Sequence, residues 1–335
     1  MRVGSDDQPG GRSVGIIDLA LYRRIVEECF PTLEVSSIRF IGGGTYRVFE
    51  VNGELIFRFP HGFDGEEMLR KEQRTTAYLS SHLSLPIPRY EYFSAGCSLF
   101  PRAVAGYRKL AGITLEQFVP ARPALSSIAA QIGTFLGELH GLPAEAVQEM
   151  GAPPFDPTQA RQRQCALLDE IRRYAFARLD AAQQAWTEAL FQPFLADDGN
   201  WQFGPVLIHG DLDSTNILYD PAEGRVAGVI DFEDTGLGDP VWDFCALAAE
   251  FGTAFVHDML ASYGLPPDER FERRLAFHSR RVLFHEMLYG IEYDAPDCTS
   301  HAVQRLGRAM AGREPIGGWL VGSTSQTRQQ EGFPT

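Results

Sequence analysis

Between Val206 and Asp243 the chain reads VLIHGDLDSTNILYDPAEGRVAGVIDFEDTGLGDPVWD. His209-Gly-Asp211 is followed five residues after the aspartate by Asn216, and Asp231 closes an apolar run. Transfer of a phosphoryl group calls for these residue types. It needs a carboxylate to orient and deprotonate a hydroxyl, oxygen donors for magnesium, and a cation near the phosphates. Asp211 suits the base. Asn216 returns along the same loop to offer an amide oxygen, the donor type that magnesium prefers. Asp231 is read as the end of a buried strand, where a lone carboxylate is costly unless it binds an ion. Taken singly, each residue also fits an Asx turn or a cap. The set, in this order and on these elements, favours chemistry.

The rest of the composition narrows the choice. The chain has 335 residues, with 44 acidic against 30 basic side chains and a formal charge of −14. That balance argues against binding a nucleic-acid backbone, which needs clustered positive charge. It suits a cationic partner, although plain solubility explains most acidic chains. Lys71 and Lys109 are the only lysines, and neither follows a glycine. A Walker A loop is thereby excluded, and a phosphate-binding cation must be an arginine or one of these two. Cys29, Cys97, Cys165, Cys245 and Cys298 are scattered without metal-ligand spacing, which predicts reduced thiols and a cytoplasmic setting. The start of the chain lacks the pattern of a signal peptide, and no apolar run reaches the roughly 18 residues of a membrane span. His285-Glu286 has Tyr289 where a zinc motif needs a second histidine. A Gly-x-Ser-x-Gly elbow is also missing from the sequence. Nothing in the sequence sets an oligomeric state.

The elements that must position these residues fall into two groups. Residues 16–30 read as a helix with Ile17, Leu21, Ile25 and Val26 on one face and Asp18 in its first turn. Short β-branched and aromatic runs follow at 36–42, 46–51 and 54–59. The last two are joined by Asn52-Gly53, the strongest short hairpin signal. A helix is predicted over 64–81, then strands over 89–94 and 99–109. Beyond Gly112 the chain turns helical, with helices predicted at 126–140, 158–174, 181–195, 240–251, 254–263 and 270–290. Strand-like pieces at 217–219 and 226–232 interrupt them. The fold class is therefore α+β: an antiparallel five-stranded sheet with one main helix, then a larger, mostly helical part. The predicted organisation is a flexible tail over 1–13, a nucleotide lobe over 14–110, a helical lobe over 111–312 and a second flexible tail over 313–335.

The pattern His209-Gly-Asp211-x-x-x-x-Asn216-Ile-Leu, Ile230-Asp231-Phe232 and Gly238-Asp239-Pro240-x-x-Asp243 resembles the aminoglycoside phosphotransferase family. The run from Phe135 to Pro143 and the strand Gly106-Tyr107-Arg108-Lys109-Leu110-x-Gly112 are similar to that family too, the latter to its 2″-phosphotransferases. The resemblance implies a two-lobed protein-kinase-like fold and a kinase using ATP or GTP with Mg2+. It implies that Asp211 is the catalytic base, that Asn216 and Asp231 hold magnesium, and that His209 anchors the loop. Asp239 and Asp243 brace it. Glu72 becomes the helix carboxylate that pairs with the cation of strand three, where Arg58 stands in place of lysine. Arginine keeps the charge and offers a fork of donors to phosphates. Lys71 lies on the following helix, beside Glu72. Gly43, Gly44, Thr45 and Tyr46 sit where a phosphate-covering loop belongs, and backbone groups of Lys109, Leu110 and Ala111 are placed against the purine.

Around the acceptor, Asp211, Asp213, Glu233, Asp234, Glu250 and Glu286 are expected to face one cleft and draw in a cationic small molecule. The leading expectation is an antibiotic kinase acting on a hydroxyl of an aminoglycoside. The alternatives are a macrolide, another cationic antibiotic or a small hydroxylated metabolite as acceptor, or a nucleotide-binding pseudokinase.

Overall fold

The computed structural model describes residues 17–43, 45–61, 64–118, 122–143 and 153–318. The expected tail at 1–13, the greater part of that at 313–335, and Gly44 lie outside the described residues. Helix α1 (Leu19–Cys29) is capped by Asp18, whose side chain accepts from the Leu21 N–H, so Asp18 stands at the cap and not within the first turn. Five strands then form one antiparallel sheet: β1 (Ile38–Gly43), β2 (Tyr46–Val51), β3 (Leu55–Pro60), β4 (Tyr90–Ser94) and β5 (Val104–Arg108), in the order β1-β2-β3-β5-β4. Asn52 and Gly53 both take positive φ and join β2 to β3. The Asn52 side chain also accepts from the N–H groups of Ser36 and Ser37, which ties that turn to the entry of β1.

Alternation along β3, the central strand, decides the use of its two faces. Leu55, Phe57 and Phe59 enter a core with Tyr22, Ile25 and Val26 of α1, and Arg58 therefore points to the other face. Helix α2 (Gly65–Leu79) packs there and brings Glu72. The strand expected from residue 99 begins only at Val104, because Cys97 and Phe100 exchange backbone hydrogen bonds in a tight turn.

The second lobe is built on α3 (Arg122–His140), whose Ile132, Phe135, Leu136 and Leu139 are buried. A short strand, β6 (Ile113–Thr114), joins β8 (Ile217–Asp220) and β9 (Arg225–Val229) in a three-stranded sheet, and β7 (Val206–Ile208) pairs with β10 (Gly236–Gly238). Helices α4 (Pro157–Glu170) and α5 (Ala181–Ala196) precede β7; α6 (Trp242–Phe251), α7 (Thr253–Tyr263), α8 (Phe271–Glu292) and α9 (Pro296–Met310) follow β10. The helix expected to reach residue 174 ends at Glu170 and passes into a single wide turn over Ile171–Ala175. Helix α9 was not among the expected elements; it closes a second core in which Leu306 meets Phe191, Phe277 and Phe284. Within the expected tail at 313–335, residues 315–318 lie against the second lobe. Ile316 is buried in that second core, and the Gly317 N–H donates to the Ala249 carbonyl. Among the described residues no helix is long and apolar enough to cross a membrane.

Candidate active site

Two loops at the lobe junction carry the motif residues. The first, 209–216, leaves β7 and enters β8; the second, 230–235, leaves β9 and enters β10. Asp243, fully buried at the start of α6, accepts from the backbone N–H groups of His209 and Gly210 at 2.7 and 2.9 Å. His140 of α3 meets the same carboxylate at 3.0 Å. The Asp211 N–H donates to His209 Nδ1, so the His209 proton resides on Nε2 and is given to the Ile230 carbonyl at 3.0 Å. One neutral imidazole thus joins the two loops. Asp239 accepts from Arg274 of α8 at 2.7 Å and from the Val241 N–H, which fixes the approach to α6.

Asp211 is exposed at the tip of its loop. Asn216 donates through Nδ2 to the Asp211 carbonyl at 2.8 Å and to Asp211 Oδ2 at 3.2 Å. With its nitrogen so used, the amide presents its oxygen. The Asn216 carbonyl accepts from the Ile230 N–H at 2.9 Å, so the residue before Asp231 is stitched to Asn216. Strand β9 stops at Val229, two residues short of Asp231, which turns out with φ +72° and keeps its side chain 29% exposed. An amide oxygen beside a half-exposed carboxylate fits the oxygen preference of magnesium.

Arg58 forms the other wall. Its Nη1 donates to Glu72 at 2.5 Å and its Nη2 to Asp231 at 2.7 Å, and Glu233 lies 3.6 Å away. The Tyr46 ring covers the guanidinium at 4.1 Å. Burial opposes the Arg58 charge, but Glu72, Tyr90 and Asp231 outweigh it and hold the group protonated well above its ordinary range. Burial pushes the Glu72 carboxyl the other way, up to about 7, with Arg58 resisting. Ligand oxygens of Glu72, Asp231 and Glu233 approach within 4.8 Å of one another, as a metal cluster would, but the Arg58 guanidinium is their common counter-ion.

The expected acceptor acids separate. Asp211 stands on the loop 209–216, and Asp234 and Glu250 lie beside it: Asp234 is exposed, its backbone lies against Gly210, and Glu250 accepts from the Ser214 N–H at 3.2 Å. Asp213 is buried, and its Oδ1 is engaged by the N–H and hydroxyl of Thr215. Glu233 lies beside Arg58 and accepts from Thr45 Oγ1 at 3.0 Å across the lobe junction. Glu286 is fully buried between α8 and α9 and is held by Arg305 and His301. Glu286 is thereby committed to the packing of α8 on α9, while Asp213 and Glu233 stay on the two motif loops, each with one oxygen already engaged.

Leu110 and Ala111 line a depression of about 470 Å3 at the lobe junction, with Gly53 and Glu54 opposite. Lys109 lines the same depression; its N–H donates to the Glu54 carbonyl, and its ammonium is paired with Glu50. Gly43 and Tyr46 end and begin the strands that flank the β1–β2 turn, and Thr45 supplies the hydroxyl held by Glu233. One participant, Trp242, escaped the sequence reading: its Nε1 donates to the Gly210 carbonyl at 2.8 Å. Two that it named make contacts it did not foresee: the Tyr46 ring stacks on Arg58, and the Lys71 ammonium reaches the Glu233 carbonyl at 3.2 Å.

The model of the phosphotransferase enzyme family matches residues 37–276. The uncharacterised protein YcbJ of Bacillus subtilis (strain 168) is 26% identical over 213 residues, 62% of this chain and 67% of that protein. Viomycin phosphotransferase of Streptomyces vinaceus is 35% identical over 69 residues, 20% of this chain and 24% of that protein. Among solved structures, the GDP and kanamycin complex of a 2″-aminoglycoside phosphotransferase superposes with a TM-score of 0.76 at 24% identity. It covers 87% of this chain and 98% of its own. A macrolide 2′-phosphotransferase of type I gives a TM-score of 0.67 at 24% identity, covering 86% and 95%. The fold is therefore the two-lobed, kinase-like fold of these enzymes.

Proposed function

The chain belongs to the phosphotransferase enzyme family, and we propose that it moves the γ-phosphoryl group of ATP or GTP onto a hydroxyl of a cationic antibiotic, foremost an aminoglycoside. The observation that carries this reading is the placement of Asp211. It is an exposed carboxylate steadied by Asn216, on a loop pinned from beneath by Asp243 and joined to Asp231 through His209. In the reaction, Asp211 takes the proton from the acceptor hydroxyl as its oxygen attacks the γ-phosphorus, and the bond to the leaving nucleoside diphosphate breaks. Asn216 holds the Asp211 carboxylate toward the acceptor. Arg58 keeps a guanidinium fork at the phosphate wall, and Glu72 sets its direction. Asn216 and Asp231 would hold magnesium, which when bound shields the charge of the phosphates.

The acceptor is bound near Asp211, Asp234 and Glu250, where negative charge favours an amino sugar. A kinase whose acceptor carries fewer amines, a macrolide above all, is the second reading. It is favoured by the commitment of Glu286 to the packing of α8 on α9 and by the hydrogen bonds that Asp213 and Glu233 already carry. Nucleotide consumption and phosphorylated product, followed with panels of aminoglycosides and macrolides, separate the two. Product with kanamycin and none with a macrolide supports the first, and the reverse supports the second. Turnover unchanged in Asp211→Asn would remove the assignment altogether.

A further inference from the structure

Four arginines among the described residues are buried to less than a tenth exposure: Arg58, Arg274, Arg281 and Arg305. Three sit on carboxylates, Arg58 on Glu72, Arg274 on Asp239 and Arg305 on Glu286. Arg281 is 3% exposed and meets no carboxylate among the described residues. Its Nη1 lies 2.5 Å from His285 Nε2, and its Nε finds no partner. The guanidinium carbon stands 4.4 Å over the Trp242 ring. Burial pulls its pKa down to about 10, with Cys245 resisting, so the group is still a cation at neutral pH. His278, on the same stretch of α8 and 5.2 Å from the indole, is held neutral by burial and by the charges of Arg281 and Arg274. An isolated buried charge is expensive. Here the negative face of the indole supplies the compensation that a carboxylate supplies elsewhere.

The indole is also the donor to the catalytic loop. Trp242 Nε1–H gives its proton to the Gly210 carbonyl at 2.8 Å, while Asp243 holds the Gly210 N–H at 2.9 Å. Both polar groups of the residue preceding Asp211 are thus pinned by adjacent residues of α6. Gly210 takes φ +92°, and a Cβ there would fall 2.5 Å from the Asp234 carbonyl oxygen, so no other residue suits this conformation. Rotation of the Gly210–Asp211 peptide would carry the Asp211 side chain away from Asn216. A cation over the ring withdraws electron density from the indole and strengthens its N–H as a donor.

We propose that Trp242 and Arg281 are positioning residues for phosphoryl transfer: the buried Arg281 cation, stacked on the indole, reinforces the Trp242–Gly210 hydrogen bond that aims Asp211. The inference rests on the phosphotransferase reading and adds to it two residues that act through the loop carrying Asp211.

The test compares the wild-type chain with Trp242→Phe, Arg281→Met, Arg281→Lys and the double variant Trp242→Phe/Arg281→Met. ATP and Mg2+ are supplied with water as acceptor, phosphate release is followed, and thermal melting serves as the folding check. Trp242→Phe keeps a ring and loses the donor. It is expected to lower kcat about 10- to 100-fold, the scale of an ångström-level misplacement, with the KM for ATP within about twofold. Arg281→Met is expected to lower kcat less, and Arg281→Lys to regain most of that loss. The double variant should be no slower than Trp242→Phe alone, since the cation acts through the indole. A kcat for Trp242→Phe within twofold of wild type overturns the proposal. So does a loss expressed only in KM, or Arg281→Met costs that multiply in full with those of Trp242→Phe. Should Trp242→Phe fail to fold, the Met and Lys variants of Arg281 decide the matter by the same rescue. Asp211→Asn distinguishes the two levels. Phosphate release unaffected by that change overturns the phosphotransferase reading itself. Release abolished there and intact in Trp242→Phe overturns only the positioning role.

Discussion

At the end of the cleft proposed to hold the phosphates, buried charge is met by opposite charge within a few ångströms: Arg58 lies among Glu72, Asp231 and Glu233. At the acceptor end the arrangement is looser. Asp211 and Asp234 stand exposed, Glu250 leans on a backbone N–H, and the cation beneath the loop, Arg281, rests on an aromatic face. The contrast follows from the task. Triphosphate handling is the same for every acceptor, so its groups can be locked in place before the substrate arrives. Acceptor recognition must differ between relatives, and it is left to side chains on separate helices and loops.

The largest effect expected from breaking this arrangement is at its centre. Asp211→Asn should lower kcat about 100- to 10,000-fold, the range of a lost general base, and leave the KM for nucleotide close to wild type. Steady-state kinetics with the best acceptor from the panel measures it. A comparable rise in nucleotide KM would place Asp211 at the phosphate end and erase the distinction between the two.

Arg58→Met tests whether the phosphate end is locked. It strands Glu72, a carboxylate with 0% exposure, and the loss of one partner of a buried pair costs about 3–5 kcal/mol. Urea denaturation should show that loss. The joint replacement Arg58→Met with Glu72→Leu should restore much of it, since an apolar pair carries no uncompensated charge. An unchanged urea midpoint in Arg58→Met would mean that the network is only loosely held. Glu286→Gln applies the same logic to an acid first assigned to the acceptor. It uncovers the buried Arg305 and should cost about 3 kcal/mol in unfolding while sparing the KM for a cationic acceptor.

How much of this could be read in the sequence depends on the range of the contact. The Asn52-Gly53 hairpin, the Asp211–Asn216 loop and the helix face of α3 are local, and local spacing announces them. The Arg58–Asp231 contact joins positions 173 residues apart, and neither spacing nor the family resemblance, which paired Arg58 with Glu72 alone, announced it. Glu286 and Asp213 were placed by charge alone, which does not reveal that Arg305 and Thr215 already engage them. Lys109 was placed by its strand position, which does not reveal that its N–H turns to Glu54. The cation contacts of two aromatics, Tyr46 on Arg58 and Trp242 under Arg281, left no trace in the pattern, because an aromatic reads the same whether or not a cation lies on it.

The smallest effect is also the one that bears most directly on the acceptor. Glu250 ends α6 and its Oε2 accepts from the Ser214 N–H, a bond that a neutral amide oxygen can also take. Glu250→Gln should therefore change unfolding stability by about 1 kcal/mol or less. What it removes is negative charge beside the Asp211 loop. If an aminoglycoside is the substrate, its KM should rise by up to about fivefold, as for a partly exposed ion pair, and the rise should shrink as salt is added. A macrolide with a single amine should feel the change less. A KM for kanamycin that is indifferent both to this substitution and to ionic strength would show that charge at the acceptor end takes no part in recognition, and that shape alone selects the molecule presented to Asp211.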